Sequence, residues 1–204
     1  MSRTPAQASP AAPAGPLYFI RRYLRDSRTI GAVARSSRGL ALNMVKGLEL
    51  ERARAVAELG PGTGAFTRVI LERIPTSGCA FFAVEKDGGM ASAFRASFPA
   101  VKLHEGDAAN LKRICGQEGV AQLDAVVSGL PFMSFPTEAQ HAIIDAVAGS
   151  LRPGGRFATF TYRIDGLGKA RRFRKLLESR FSKVSITGLT VWNVPPAVVF
   201  HCVR

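Results

Sequence analysis

The sequence predicts an α/β fold: a doubly wound, mostly parallel seven-stranded sheet closed by an antiparallel hairpin, with a basic amphipathic helix at the N-terminus. Three observations carry that expectation. From Ala53 onward an apolar run gives way to an amphipathic stretch five times in succession. The chain then ends on two apolar runs joined by a turn. The first passage from apolar run to amphipathic stretch is made through Gly60-Pro61-Gly62-Thr63-Gly64. Strands that succeed one another through helices lie parallel, and the helices then cover both faces of the sheet.

In chain order, residues 1–16 (MSRTPAQASPAAPAGP) hold little that can be buried and are expected to form a disordered tail. Residues 17–48 are expected to be basic amphipathic lead-in helices. LYFIRRYLRD places Phe19, Ile20, Tyr23 and Leu24 on one helical face and Arg21, Arg22 and Arg25 largely on another. A second helix is expected from Gly39 to Leu48. Between Leu17 and Leu48 seven Lys and Arg stand against a single acid, Asp26. Residues 49–204 are expected to form the α/β domain. Its strand–helix units are ARAVAEL with GAFTRVILERI, CAFFAVE with DGGMASAFRASF, and AVKLHEG with AANLKRICGQEG. LDAVVSG with PTEAQHAIIDAVAGSL and RFATFTY with LGKARRFRKLLESRF complete them. KVSITGLTVW, a turn at Asn193-Val194-Pro195-Pro196, and AVVFHCV form the hairpin.

At 204 residues, 47% hydrophobic and 21% charged, the chain has material for one core. Its 28 Lys and Arg against 15 Asp and Glu give a net charge of +13. That excess favours phosphate-bearing partners, either nucleic acid or an anionic lipid surface. Cys79, Cys115 and Cys202 are odd in number and lack paired spacing, which argues against a disulfide scaffold or a zinc site and suits a reducing cytoplasm. No apolar run approaches the ~18 residues that span a bilayer, and the N-terminus lacks the charged-then-apolar order of a secretory signal. A soluble or surface-bound protein is expected.

The loop in AELGPGTGAF carries the first chemistry. Glycine lets the backbone approach a ligand where a Cβ would collide, and a glycine turn opening a helix presents free N–H groups to a carboxylate or phosphate. Gly60-x-Gly62-x-x-Ala65 also satisfies the dinucleotide pattern, so the loop alone leaves the ligand open. Two acids narrow it. Glu85 ends the second strand in FFAVEKD, where a carboxylate can take both hydroxyls of a ribose. Asp107 follows the third strand in LHEGDAANL, where it can accept from an exocyclic adenine amine. Behind the glycine loop they outline an adenosine site across the strand ends.

Glu58 through Gly64 match the pattern acid-x-Gly-x-Gly-x-Gly, and LRPGGRF at 151–157 looks like the turn placed before a fifth strand. With these motifs in order, and the terminal hairpin, the chain resembles the Rossmann-like class I S-adenosylmethionine-dependent methyltransferases over roughly residues 40–204. The resemblance implies S-adenosylmethionine as donor, S-adenosylhomocysteine as product and no metal. It implies a donor site of Glu58, Gly60, Gly62, Gly64, Glu85, Lys86, Asp107, Ala108 and Ser128.

The acceptor is expected near Ser128-Gly129-Leu130-Pro131-Phe132, at the fourth strand end. Amino-methylating relatives often carry Asn/Asp-Pro-Pro-Tyr or Asn-Leu-Pro-Tyr here, the Asn or Asp accepting from the target amine and the ring stacking on the base. Gly129 stands where that Asn would and offers only backbone, although the layout resembles ribosomal RNA adenine dimethyltransferases. Gly-Leu-Pro after this strand, behind a basic lead-in helix, is similar to bacterial phospholipid N-methyltransferases. That resemblance implies stepwise methylation of phosphatidylethanolamine towards phosphatidylcholine, by a cytoplasmic enzyme that visits the inner face of the membrane through its N-terminal helix.

A methylated ammonium is cationic and apolar together, so an aromatic lining suits it. Phe132 and Tyr162 are candidates for that lining, as are Tyr18 and Phe19 from the lead-in helix. Tyr162, Phe132, Gly129 and Leu130 are the candidate catalytic positions. The head-group amine must lose a proton before attack, and Glu58, Tyr162 and His141 remain alternatives for assisting it. Arg163, Arg171 and Arg172 are candidates to hold a lipid phosphodiester. Tyr18, Phe19, Arg21, Arg22 and Arg25 are candidates to hold an anionic surface. The apolar stripe Phe173, Leu176, Leu177 and Phe181 otherwise marks residues 169–183 as a sheet-covering helix with a solvated basic face. A monomer is expected.

Three other functions compete. For an RNA adenine methyltransferase no residues remain to build a further RNA-binding platform. An inactive membrane- or RNA-binding module is opposed by the intact loop, Glu85 and Asp107. A nicotinamide oxidoreductase is opposed by Asp107 and the closing hairpin.

Overall fold

The computed structural model describes residues 31–162, 167–190 and 197–204. Strand β1 (Ala55–Leu59) is apolar at every position but Glu58 and is buried along its whole length, as a strand covered on both faces must be. It pairs in parallel with β2 (Ala80–Glu85) on one side and β4 (Leu123–Ser128) on the other. The full order is β3-β2-β1-β4-β5-β7-β6. Strand β3 (Lys102–Glu105) forms one edge and β6 (Lys183–Thr190) the other. Strand β5 (Leu151–Tyr162) runs parallel to β4, and β7 (Ala197–Val203) inserts antiparallel between β5 and β6. The seven-stranded sheet with a closing hairpin is therefore present. The hairpin turn at Asn193-Val194-Pro195-Pro196 lies outside the described residues.

Two apolar layers follow from strand alternation. Val56, Ala125 and Val127 face helices α1 (Gly31–Val45) and α2 (Ala65–Leu71). Ala57, Leu59, Phe82 and Val126 face α4 (Leu111–Gln117), α5 (Thr137–Ser150) and α6 (Leu167–Glu178). Helix α3 (Gly88–Ser97) lies beside β2 and β3, with Asp87 as its N-cap accepting from the Met90 N–H at 2.9 Å. After β1 the chain moves toward one edge, and after β4 toward the other. A crevice opens at that divergence, outside the strand carboxyl ends.

Two elements differ from expectation. Helix α1 already holds Gly31, the first described residue, eight positions before the expected Gly39, and it stops at Val45, because Gly47 takes φ +72 and turns the chain out of the helix. Leu40, Ala41, Met44 and Leu48 are buried beneath it against the sheet. The Pro153-Gly154-Gly155 segment does not precede β5 but lies within it as a bulge. The β4–β5 register passes from Leu123↔Leu151 to Ala125↔Arg156, so five residues of β5 advance against two of β4. A Cβ at Gly155 would stand 2.8 Å from the Arg152 carbonyl oxygen, which requires glycine there. Strand β7 closes on the bulge, Gly154 N–H donating to the Arg204 carbonyl at 2.8 Å and Arg204 N–H to that of Gly155 at 2.9 Å.

Asp124 ties β4 to both neighbours. Its Oδ2 accepts from the Arg54 and Ala55 N–H groups at 2.7 and 3.0 Å, and its Oδ1 from Arg152 Nε at 2.6 Å. Burial works to raise this carboxyl, but the Arg152 guanidinium and the two N–H donors outweigh it and hold it below the usual range. A depressed folded value contributes stability above the unfolded pKa and loses it as pH falls through the folded one. Asp124→Ala is expected to cost about 1.5–3 kcal/mol at pH 7. Urea titration should show that cost shrinking below about pH 4; a cost independent of pH would contradict the charged cap.

Candidate donor and acceptor site

The glycine loop leaves β1 at the crevice and is gripped from both sides. Gly60 N–H donates to the Val84 carbonyl at 2.9 Å, and Gly64, at φ +78, opens α2. A Cβ on Gly60 would stand 2.6 Å from Leu130 Cδ2. A Cβ on Gly64 would collide with the Phe98 ring. That ring stacks on Phe94 at 5.1 Å and lies under the Arg68 guanidinium at 5.5 Å. From β4 the approach is backbone to backbone: a Cβ on Gly129 would stand 2.6 Å from the Gly60 carbonyl oxygen. The Gly129 position is thus closed to any side chain, including the Asn of adenine-methylating relatives.

Glu58 sits two residues before the loop. Alternation turns it to the face of Val56, beneath α2, where Thr67 Oγ1 donates to its Oε2 at 2.7 Å. The residue is fully buried, and its Oε1 has no hydrogen-bond partner. Burial pushes this carboxyl up to about 8, the Thr67 hydrogen bonds pull it down, and the Glu85 charge adds to the rise.

Glu85 and Asp107 stand at adjacent strand ends. Glu85 Oε1 accepts from the Asp87 N–H at 3.0 Å, and its Oε2 from the Gly62 N–H at 3.4 Å, so the acid reaches the glycine loop. Asp107 Oδ1 accepts from the Ala109 N–H at 2.9 Å, capping the short 3-10 turn Ala108–Asn110. Its Oδ2 accepts from Lys86 Nζ at 2.8 Å. The Lys86 hydrogen bond, then that of Ala109, holds the Asp107 carboxyl below its usual range. Beside Asp107 opens a largely apolar cavity of about 320 Å³, with Lys86, Asp107, Ala108, Leu130, Phe135 and Ile143 in its wall. A flat heteroaromatic with an amine on its rim suits a pocket with apolar walls and one fixed carboxylate.

The acceptor-side expectations fare less evenly. Ser128 is buried, and its Oγ accepts from the Leu130 N–H at 3.3 Å, fixing the turn that presents Leu130. Phe132 requires a correction. Its ring is fully buried, stacks on Phe173 at 4.8 Å and meets Phe135 edge-on at 6.0 Å, so it belongs to the core and not to the cavity wall. Phe135 is the ring that reaches the cavity. The run PFMSFP holds both rings; the 3-10 turn Phe132–Ser134 separates them, and the stacking of Phe132 on Phe173 leaves Phe135 at the cavity. Pro136, Ala139 and Ala142 of the same wall carried no sequence signal beyond helical spacing.

His141 is exposed on α5 and outside the cavity wall. Arg171 and Arg172 are exposed on α6, whose Phe173, Leu176 and Leu177 cover the sheet. Tyr162 ends β5 opposite Ala197, but its side chain lies outside the described residues, as do Tyr18, Phe19, Arg21, Arg22, Arg25 and Arg163. Among the described residues no group of three His, Cys, Asp or Glu is placed to hold a metal, and no helix is long and apolar enough to cross a membrane.

Residues 56–155 match the family described as a methyltransferase domain. The chain is 33% identical over 190 residues to the ornithine lipid N-methyltransferase of Singulisphaera acidiphila, a match covering 90% of this chain and 93% of that one. A shorter stretch of 87 residues is 36% identical to ribosomal RNA small subunit methyltransferase A of Prosthecochloris aestuarii, 43% of this chain and 28% of that one. Among solved structures, the O-methyltransferase TomG of Streptomyces achromogenes, in complex with S-adenosylmethionine, superposes with a TM-score of 0.63 at 17% identity, over 94% of this chain and 91% of that one.

The site fits such a donor. Glycine-only approaches leave backbone open at the loop, Glu85 and Asp107 supply acceptors at the strand ends, and the orphaned Glu58 oxygen lacks a donor. Charge-assisted hydrogen bonds are worth ~1.5–3 kcal/mol, so Glu85→Ala is expected to weaken S-adenosylmethionine binding roughly tenfold or more in calorimetry. Unchanged affinity would remove Glu85 from the donor site. By its motifs, its fold and its near full-length relative, the chain belongs to the class I S-adenosylmethionine-dependent methyltransferases.

Proposed function

We propose that the protein methylates the amine of a phospholipid head group, converting phosphatidylethanolamine stepwise towards phosphatidylcholine at the cytoplasmic face of a membrane. The observation that carries this reading is the alignment with a lipid N-methyltransferase along nine-tenths of the chain. The match to an RNA-modifying relative covers less than half of it. The closure of Gly129 to side chains supports the same choice, since an adenine amine would find no amide acceptor there.

When bound, S-adenosylmethionine supplies an electrophilic methyl group, so the protein's task is placement of a neutral amine in line with it. Glu58, Gly60, Gly62, Gly64, Glu85, Lys86, Asp107 and Ala108 are assigned to the donor, with Ser128 shaping the turn behind it. Leu130, Gly129 and Tyr162 are assigned to the acceptor side, where an aromatic ring suits the growing ammonium. Arg171 and Arg172, with Arg163 and the lead-in residues Tyr18, Phe19, Arg21, Arg22 and Arg25, are assigned to lipid phosphate and the anionic surface. Each basic side chain close to such a surface contributes on the order of 1 kcal/mol.

Labelled donor incubated with vesicles of phosphatidylethanolamine and anionic lipid, and separately with vesicles containing ornithine lipid and with ribosomal RNA, distinguishes the readings. Label is expected in the lipid, and vesicle binding is expected to fall as salt shortens the screening length from ~10 Å at 0.1 M. Label in RNA alone would overturn the lipid reading. Label in ornithine lipid but not in phosphatidylethanolamine would keep the lipid and change the head group.

A further inference from the structure

Lys86 and Asp107 stand side by side in the wall of the cavity, on adjacent strand ends. Lys86 follows β2 and Asp107 lies two residues past β3, and Nζ of the first donates to Oδ2 of the second at 2.8 Å. Asp107 is fixed a second time, by the Ala109 N–H on its Oδ1. The Lys86 side chain is 78% exposed and that of Asp107 38%, so the ammonium lies on the solvent side of the pair. An ion pair this exposed contributes little stability, because water screens it.

Its geometry is more informative. An acceptor and a donor held 2.8 Å apart are the pattern that a carboxamide presents, and a carboxamide reads the amine and N7 of adenine together. Exposure decides which ring nitrogen the ammonium can meet. An adenine with its amine on Asp107 carries N7 on the flank nearer the ribose and N1 on the flank away from it. Glu85, assigned to the ribose, immediately precedes Lys86. The α5 wall, Ala139, Ala142 and Ile143, offers no polar side chain to the other flank. N7 is therefore the nitrogen left for Lys86.

We propose that Lys86 and Asp107 read the donor's adenine as one unit, Asp107 accepting from the 6-amine and Lys86 donating to N7. The inference rests on the donor assignment above and makes Lys86 a specificity-determining residue. An ammonium has three N–H groups, so one can stay on Oδ2 while another turns to the base. No covalent bond changes and no proton is transferred. A base with an oxo group at position 6 would set lone pairs against the Asp107 carboxylate. A base without N7 would lose the Lys86 bond and keep the rest.

The test is titration calorimetry of the full chain with two probes, S-adenosylhomocysteine and its 7-deaza analogue. The analogue has C–H in place of N7 and keeps the 6-amine, the ribose and the amino-acid end. The natural chain should bind S-adenosylhomocysteine about three- to tenfold more tightly than the analogue, the range expected of one hydrogen bond. Lys86→Met keeps an unbranched stem without the donor and should bring that ratio to about one. Lys86→Arg keeps a donor and should retain a preference. Whatever the lost ion pair changes at the 6-amine is common to both probes and cancels in their ratio.

Equal affinity for the two probes in the natural chain overturns the proposal, and so does a preference that survives in Lys86→Met. Asp107→Ala should weaken both probes, since both carry the amine; if it weakens neither, Asp107 does not hold the base and the proposal falls. Failure of both probes to bind the natural chain overturns the donor assignment instead, and the proposal with it. The comparison of probes on the natural chain needs no variant, so it decides even where a substitution disturbs folding.

Discussion

The Gly60 carbonyl and the Gly129 backbone approach so closely that a single methyl group would separate them, and the site depends on that contact. Pairing of β1 with β4 ends at Leu59↔Ser128, and Gly129 N–H extends it by one bond to the Leu59 carbonyl at 2.8 Å. Beyond that bond the two chains diverge, one toward the β2 edge and the other toward α5. Leu130 then packs over Gly60, while the Phe98 ring holds the far end of the loop at Gly64. A loop fixed at both ends, with glycine at every second position, is preorganised for a ligand that must lie against backbone.

The same geometry separates two kinds of charge. The molecule carries +13, yet the groups around the loop and the cavity are dominated by Glu58, Glu85 and Asp107, with Lys86 paired to the last of them. Arg171, Arg172 and their neighbours stand apart on the exposed face of α6. Acids near the strand ends suit hydroxyls, an amine and an ammonium; an exposed basic face suits phosphate. A donor with a cationic end and an acceptor attached to a phosphodiester would each meet charge of the opposite sign.

Much of this arrangement was legible in the sequence because it rests on local rules. The parallel strands announced themselves as apolar runs between amphipathic stretches, and the glycine loop with Glu85 and Asp107 sat at strand ends where topology alone fixes the neighbourhood. What escaped depended on contacts between distant residues. Whether Phe132 or Phe135 faces the cavity is settled by Phe173 of α6, which stacks on the first and leaves the second free. The bulge at 152–155 depends on β7 pairing back onto it through Arg204. The orphaned oxygen of Glu58 becomes visible only when α2 is folded over β1, since Thr67 satisfies one oxygen and nothing reaches the other.

A crystal structure of the chain with S-adenosylhomocysteine measures the central claim most directly. The ribose hydroxyls should lie on Glu85, the adenine should fill the cavity beside Asp107 and Ala108, and the amino-acid end should lie along the glycine loop toward Glu58. Electron density for the ligand elsewhere, or a glycine loop displaced from Gly129 to admit it, would contradict a donor site preformed by that backbone contact.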